Sequence, residues 1–132
     1  MATICTEYKG DMLFESKLGN HVLTIDVPAA MGGKDRGPTP PDLFVASLSS
    51  CVAAFVADYC ARSGINAEGL TVEISFDKAE DPTRLVNLKA HISFPHADLG
   101  ARKAAVLRVA EHCPVHATIR AWEGMEITVS GQ

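Results

Sequence analysis

The chain lacks any Cys-x-x-Cys pair, although it holds four cysteines, Cys5, Cys51, Cys60 and Cys113. That spacing excludes a zinc-ribbon reading. It also lacks a surplus of basic charge: 12 Lys and Arg stand against 16 Asp and Glu, a net charge of −4. A mildly acidic surface gives no electrostatic footprint for nucleic acid or for an anionic membrane. The opening "MATICTEYKGD" has no charged segment followed by an apolar run, so no secretory signal is expected. Reduced thiols and a cytoplasmic location are the matching expectations. There is no internal repeat and no low-complexity stretch. At 132 residues the chain is expected to form one domain, 1–132, long enough to bury a core.

What is present is patterned. Strand-like runs at about 3–8, 12–18 and 22–27 are separated by Lys9-Gly10-Asp11 and Gly19-Asn20, as turns should separate them. The stretch "PAAMGGKDRGPTPPD" is dense in glycine and proline and reads as a loop. A long helix is expected over 43–62. "TVEISFD" then alternates, with Val72, Ile74 and Phe76 on one face, and "VNLKAHISF" repeats the pattern with Val86, Leu88, Ala90, Ile92 and Phe94. Period two predicts half-buried strands. A second helix is predicted over 98–112, with Val106, Val109, Ala110 and Cys113 along one stripe. "MEITVS" predicts a last strand. Strands in runs with separate helices point to an α+β fold.

The first helix, "LFVASLSSCVAAFVADYCA", is apolar on nearly every side. A membrane span is disfavoured by Asp58, three serines and the absence of a basic flank on its N-terminal side. A soluble helix of this kind must be covered on every face. At about 1.5 Å per residue it runs roughly 30 Å, the width of a small domain. One small subunit can hardly wrap it, so a homodimer enclosing the helix is expected.

Of the cysteines, Cys5 and Cys60 read as inert packing, since cysteine is among the most buried residue types. Cys51 and Cys60 fall on opposite sides of a helix turning about 100° per residue. Cys51 shares its face with Phe44, Ser47 and Phe55, an apolar wall with one hydroxyl. Cys113 stands before a proline, where a helix must break, and reads as the N-cap of a new short helix with Pro114 at its first position. Free backbone N–H groups there favour a thiolate. "HCPVH" also offers His112, Cys113 and His116 to a metal. Pro114 spoils their helical presentation, and neither a metal nor another cofactor is expected. His21, His91 and His96 are expected to be solvated.

"GGKDRGPTPPDLFVASLSSC", followed further along by "HCPVHATI", resembles the OsmC-like family, which includes osmotically inducible protein C and the organic hydroperoxide resistance proteins. The resemblance covers most of the chain. It implies an intertwined homodimer of α+β subunits: N-terminal antiparallel strands, a long buried central helix, further strands and a second helix. It further implies that Cys51 attacks a hydroperoxide and that Cys113 resolves the sulfenic acid as a disulfide. A dithiol reductant, lipoyl-type by analogy, would restore the pair. Phe44 and Phe55 would wall a pocket for a small organic hydroperoxide.

The hydroperoxide-resistance branch places an arginine in the turn after the first strand and a glutamate just after the helix-initiating proline. Here those places offer Lys9 and, one position late, Asp42, with Arg36 available in the loop. Lysine has no planar fork for a carboxylate. The chain looks closer to the less characterised branch with "GGxDxGPTPxxL". A cytoplasmic thiol peroxidase of oxidative stress defence, slower than the specialised branch, is the leading expectation. The alternative is a non-enzymatic protein binding a small apolar ligand or sensing redox state through the same cysteines.

Overall fold

A computed structural model describes all residues, 1–132. The chain divides into two compact units, Met1–Ser47 and Leu48–Gln132, and the long helix runs from the first into the second.

The first unit is built on three antiparallel strands, β1 (Cys5–Gly10), β2 (Leu13–Leu18) and β3 (His21–Ile25), in the order β1-β2-β3. Gly10 pairs with Leu13, so Asp11 and Met12 form a two-residue hairpin loop, and both take positive φ, 54° and 60°. That is the backbone hand which suits the twist of a hairpin. The glycine-rich segment folds back on β3. A Cβ at Gly33 would overlap the Val27 carbonyl, and one at Gly37 would lie 2.5 Å from the Thr24 carbonyl oxygen. Only glycine permits that approach.

Helix α1 (Pro40–Ser63) begins earlier than the hydrophobic pattern indicates. Thr39 and Asp42 explain why. The Asp42 N–H reaches the Thr39 hydroxyl, which in turn donates to the Asp42 carboxylate at 2.9 Å. The two prolines between them fall in the first turn, where a missing N–H leaves no helical bond unmade.

The second unit packs the rest of α1 against a two-stranded sheet and two helices. Strands β4 (Thr71–Ala79) and β5 (Arg84–Ser93) are antiparallel, followed by α2 (Lys103–Glu111) and α3 (Pro114–Arg120). Leu48, Val52, Val56 and Cys60, one stripe of α1, are buried with Val106, Ala110 and Cys113. Ile65, Leu70, Val72, Ile74, Ile92 and Phe94 close around them. By length and composition α1 would pass as a membrane span, yet this stripe makes it the core helix of its unit.

Three expectations are corrected. The register of β4 and β5 shifts between Ser75 and Asp77, so Val86 pairs with Asp77 and leaves the apolar face that Leu88 and Ile92 were to share with it. A bulge inserts one residue and turns the side chains beyond it over. The last strand is absent: residues 123–132 have no regular structure, and Met125, Ile127 and Val129 are 70%, 76% and 94% exposed. Alternation marks a segment able to be a strand, whereas a strand exists only with a hydrogen-bonded neighbour. Cys5, finally, is exposed at the start of β1 rather than packed.

Candidate functional site: a pair of thiols

Pro114 stops α2 from continuing, and the chain restarts as α3 with Cys113 as its N-cap, extended at φ −64°, ψ 142°. The sulfur takes the place a serine hydroxyl usually fills. It accepts the N–H of His116, the third helical residue, at 3.4 Å, and the N–H of Val115 is near enough to act on it. Both N–H groups favour negative charge on sulfur, as the sequence suggests. Burial outweighs them. Cys113 is fully enclosed, and loss of solvent pushes its thiol up from the ordinary value. The neighbouring Cys51 pushes the same way. The N-cap reading of Cys113 is as expected, and burial opposes the pull of its N–H groups on the thiol.

The two thiols are neighbours. Cys51, half-buried on α1, packs against the cluster that contains Cys113. Both remain free thiols. Cys60 is also buried, its thiol raised by desolvation, with no thiol partner. Of the four cysteines, only Cys51 and Cys113 come together.

The flanking histidines are occupied. His116 Nδ1 lies 2.9 Å from the Glu111 carbonyl oxygen, and His112 Nδ1 approaches the Arg108 carbonyl. A carbonyl only accepts, so in each ring Nδ1 carries the proton. No group of three or more His, Cys, Asp or Glu converges in a way that could hold a metal ion. His21, His91 and His96 are exposed.

The candidate activating groups sit in the first unit, each with partners of its own. Lys9 lies 3.7 Å from Glu7 and 4.0 Å from Glu15. Asp42 caps α1. Arg36 pairs with the fully buried Asp26 at 2.8 Å and reaches Asp11 at 3.4 Å. Sequence reading passed over Asp26, hidden at the end of an apolar strand. Its carboxylate collects the N–H groups of Val27, Lys34 and Arg36 besides the guanidinium. Together these hold the carboxyl far below the usual carboxylate range, the guanidinium contributing most. The acid followed by a loop rich in glycine, lysine and arginine was the available signal. Phe44 and Phe55, the expected pocket walls, are 42% and 39% exposed.

The comparisons with known proteins agree with this fold. A family model described as OsmC-like protein matches residues 32–129. A protein from Psychrobacter arcticus 273-4, assigned provisionally to osmotic stress and detoxification responses, is 26% identical. The match covers 89% of this chain and 88% of that one, with a TM-score of 0.79. An OsmC-like protein from Mycoplasma pneumoniae is 19% identical over 91% and 87% of the two chains, TM-score 0.72. The organic hydroperoxide resistance protein OhrB of Bacillus subtilis is also 19% identical, over 92% of each chain, TM-score 0.61. No match was found among curated proteins. A family match over most of the chain, joined to this order of elements, makes the protein a member of the OsmC-like family.

Proposed function

We propose that the protein is a thiol-dependent reductase of organic hydroperoxides, with Cys51 as the attacking sulfur and Cys113 as the resolving one. The observation that carries this reading is the closeness of two free thiols, Cys51 packing against the cluster that holds Cys113. A second free thiol beside the first is the disposition wanted of a resolving partner. In the first step the Cys51 thiolate attacks the outer peroxide oxygen. The O–O bond breaks, an alcohol leaves with a proton, and Cys51 becomes a sulfenic acid. Cys113 then attacks the Cys51 sulfur, water leaves, and a disulfide remains. Two electrons pass from the thiol pair to the peroxide, and a dithiol returns them by exchange. Quick resolution protects Cys51 from the irreversible sulfinic and sulfonic acids.

Lys9, Arg36 and Asp42 enter the proposal as activating groups. Each already has a partner within the first unit, Arg36 being bound to Asp26 and Asp11. Phe44 and Phe55 give the site its preference for an organic substrate. A homodimer belongs to the same proposal. Only Leu48, Val52, Val56 and Cys60 of α1 are buried by the single chain, and the alternating tail stands exposed. A second copy would cover both.

The test is turnover. Reduced protein supplied with dihydrolipoamide and cumene hydroperoxide is expected to consume both in equal amounts, and Cys51→Ser to consume neither. Consumption by Cys51→Ser equal to that of the unaltered protein would remove the assignment.

A further inference from the structure

We propose that His116 is a positioning residue for the resolving step, holding Cys113 at the break between α2 and α3 where the sulfur can reach Cys51. This rests on the reading of Cys51 and Cys113 as a redox pair. A chain interrupted by Pro114 has no helical hydrogen bonds to fix one helix against the next. Two contacts of His116 fix this junction, one to the cap residue of α3 and one across to α2. Its backbone N–H caps the Cys113 sulfur at 3.4 Å, and its ring Nδ1–H binds the carbonyl of Glu111, the last residue of α2, at 2.9 Å. The first contact is open to any residue but proline. The second belongs to the side chain. It also satisfies one of the final carbonyls that a helix leaves without a partner. His112 is the natural contrast, since its ring binds Arg108 within α2 and bridges nothing.

The consequence is kinetic. Once Cys51 is a sulfenic acid, Cys113 must bring its sulfur to bonding distance, about 2.05 Å. The new S–S bond forms as the S–O bond breaks, and the hydroxyl leaves with the Cys113 proton as water. A second hydroperoxide competes, converting the sulfenic acid to a sulfinic acid and leaving as the alcohol. A junction held in place favours the disulfide. A loosened one favours overoxidation.

The experiment treats unaltered protein, His116→Ala, His116→Asn, His116→Gln and His112→Ala with rising excesses of cumene hydroperoxide, followed by peptide mapping. His116→Ala is expected to lose the Cys51 thiol at the ordinary rate while its sulfinic fraction rises several-fold. His116→Asn, which places an N–H where Nδ1 stood, is expected to match the unaltered protein, as is His112→Ala. An unchanged partition in His116→Ala overturns the proposal. If that variant does not fold, Asn against Gln decides. Gln carries its N–H one bond too far and is expected to overoxidise, so equal behaviour of the two overturns it. A parallel series in glutathione redox buffer, without peroxide, separates this proposal from the peroxidase reading. A several-fold shift in the Cys51–Cys113 thiol–disulfide equilibrium of His116→Ala supports positioning even where no peroxide is consumed. Identical equilibria overturn it.

Discussion

Cys113 shows how two residue-scale effects compete. Its capping bonds come from being the residue before a proline, and that much is written in "HCPV". Its enclosure comes from the stripe Val106, Ala110, Cys113, equally legible. Which effect prevails depends on the depth of burial, and no local pattern carries that quantity. Cys113→Ser is expected to keep the cap, because a hydroxyl accepts the same N–H groups, while removing the resolving sulfur. Under mild hydroperoxide it should accumulate sulfenic and then sulfinic acid at Cys51, visible by mass. Asp26 gives a second residue-scale expectation. Its carboxyl is depressed in the folded protein, so the stabilisation is complete above the ordinary value of 3.8 and fades as pH falls below it. Asp26→Asn is expected to have a lower urea midpoint than the unaltered protein at neutral pH. The difference should shrink on acidification below about pH 4. A difference constant from pH 7 to pH 2 would mean that the carboxylate charge is not what holds the loop.

At the scale of elements, the hairpins, the long helix and the break before α3 were all readable, because turn residues, period and proline are local signals. The bulge in β5 was not, since "VNLKAHISF" alternates without interruption and the shift shows only against its partner strand. The tail was misread for the same reason: "MEITVS" has the right alternation and no neighbour within the chain. The core stripe of α1 gives the sharpest element-scale expectation. Val56 is fully enclosed, and Val56→Ala should cost about 2 kcal/mol, two buried methyl groups plus the space they leave. Ala54→Ser, on an exposed turn of the same helix, should change the denaturant midpoint little. Equal losses would mean that α1 is not held by that stripe.

The whole molecule raises the matter of what covers the rest of α1. Phe44 and Phe55 stay more than a third exposed on a helix with little polar surface to offer water. If a second copy covers them, folding and association are coupled and the melting temperature rises with protein concentration. Val52→Asp, a charge placed in the core, should then leave little folded protein rather than a clean monomer. Light scattering that finds a stable folded monomer at micromolar concentration would contradict the dimer. The central claim, however, is the pairing of two sulfurs, and peptide mapping after one equivalent of organic hydroperoxide tests it most directly. The account predicts a Cys51–Cys113 disulfide with Cys5 and Cys60 still carrying free thiols. Oxidation at Cys5 or Cys60 with Cys51 unmodified would contradict it.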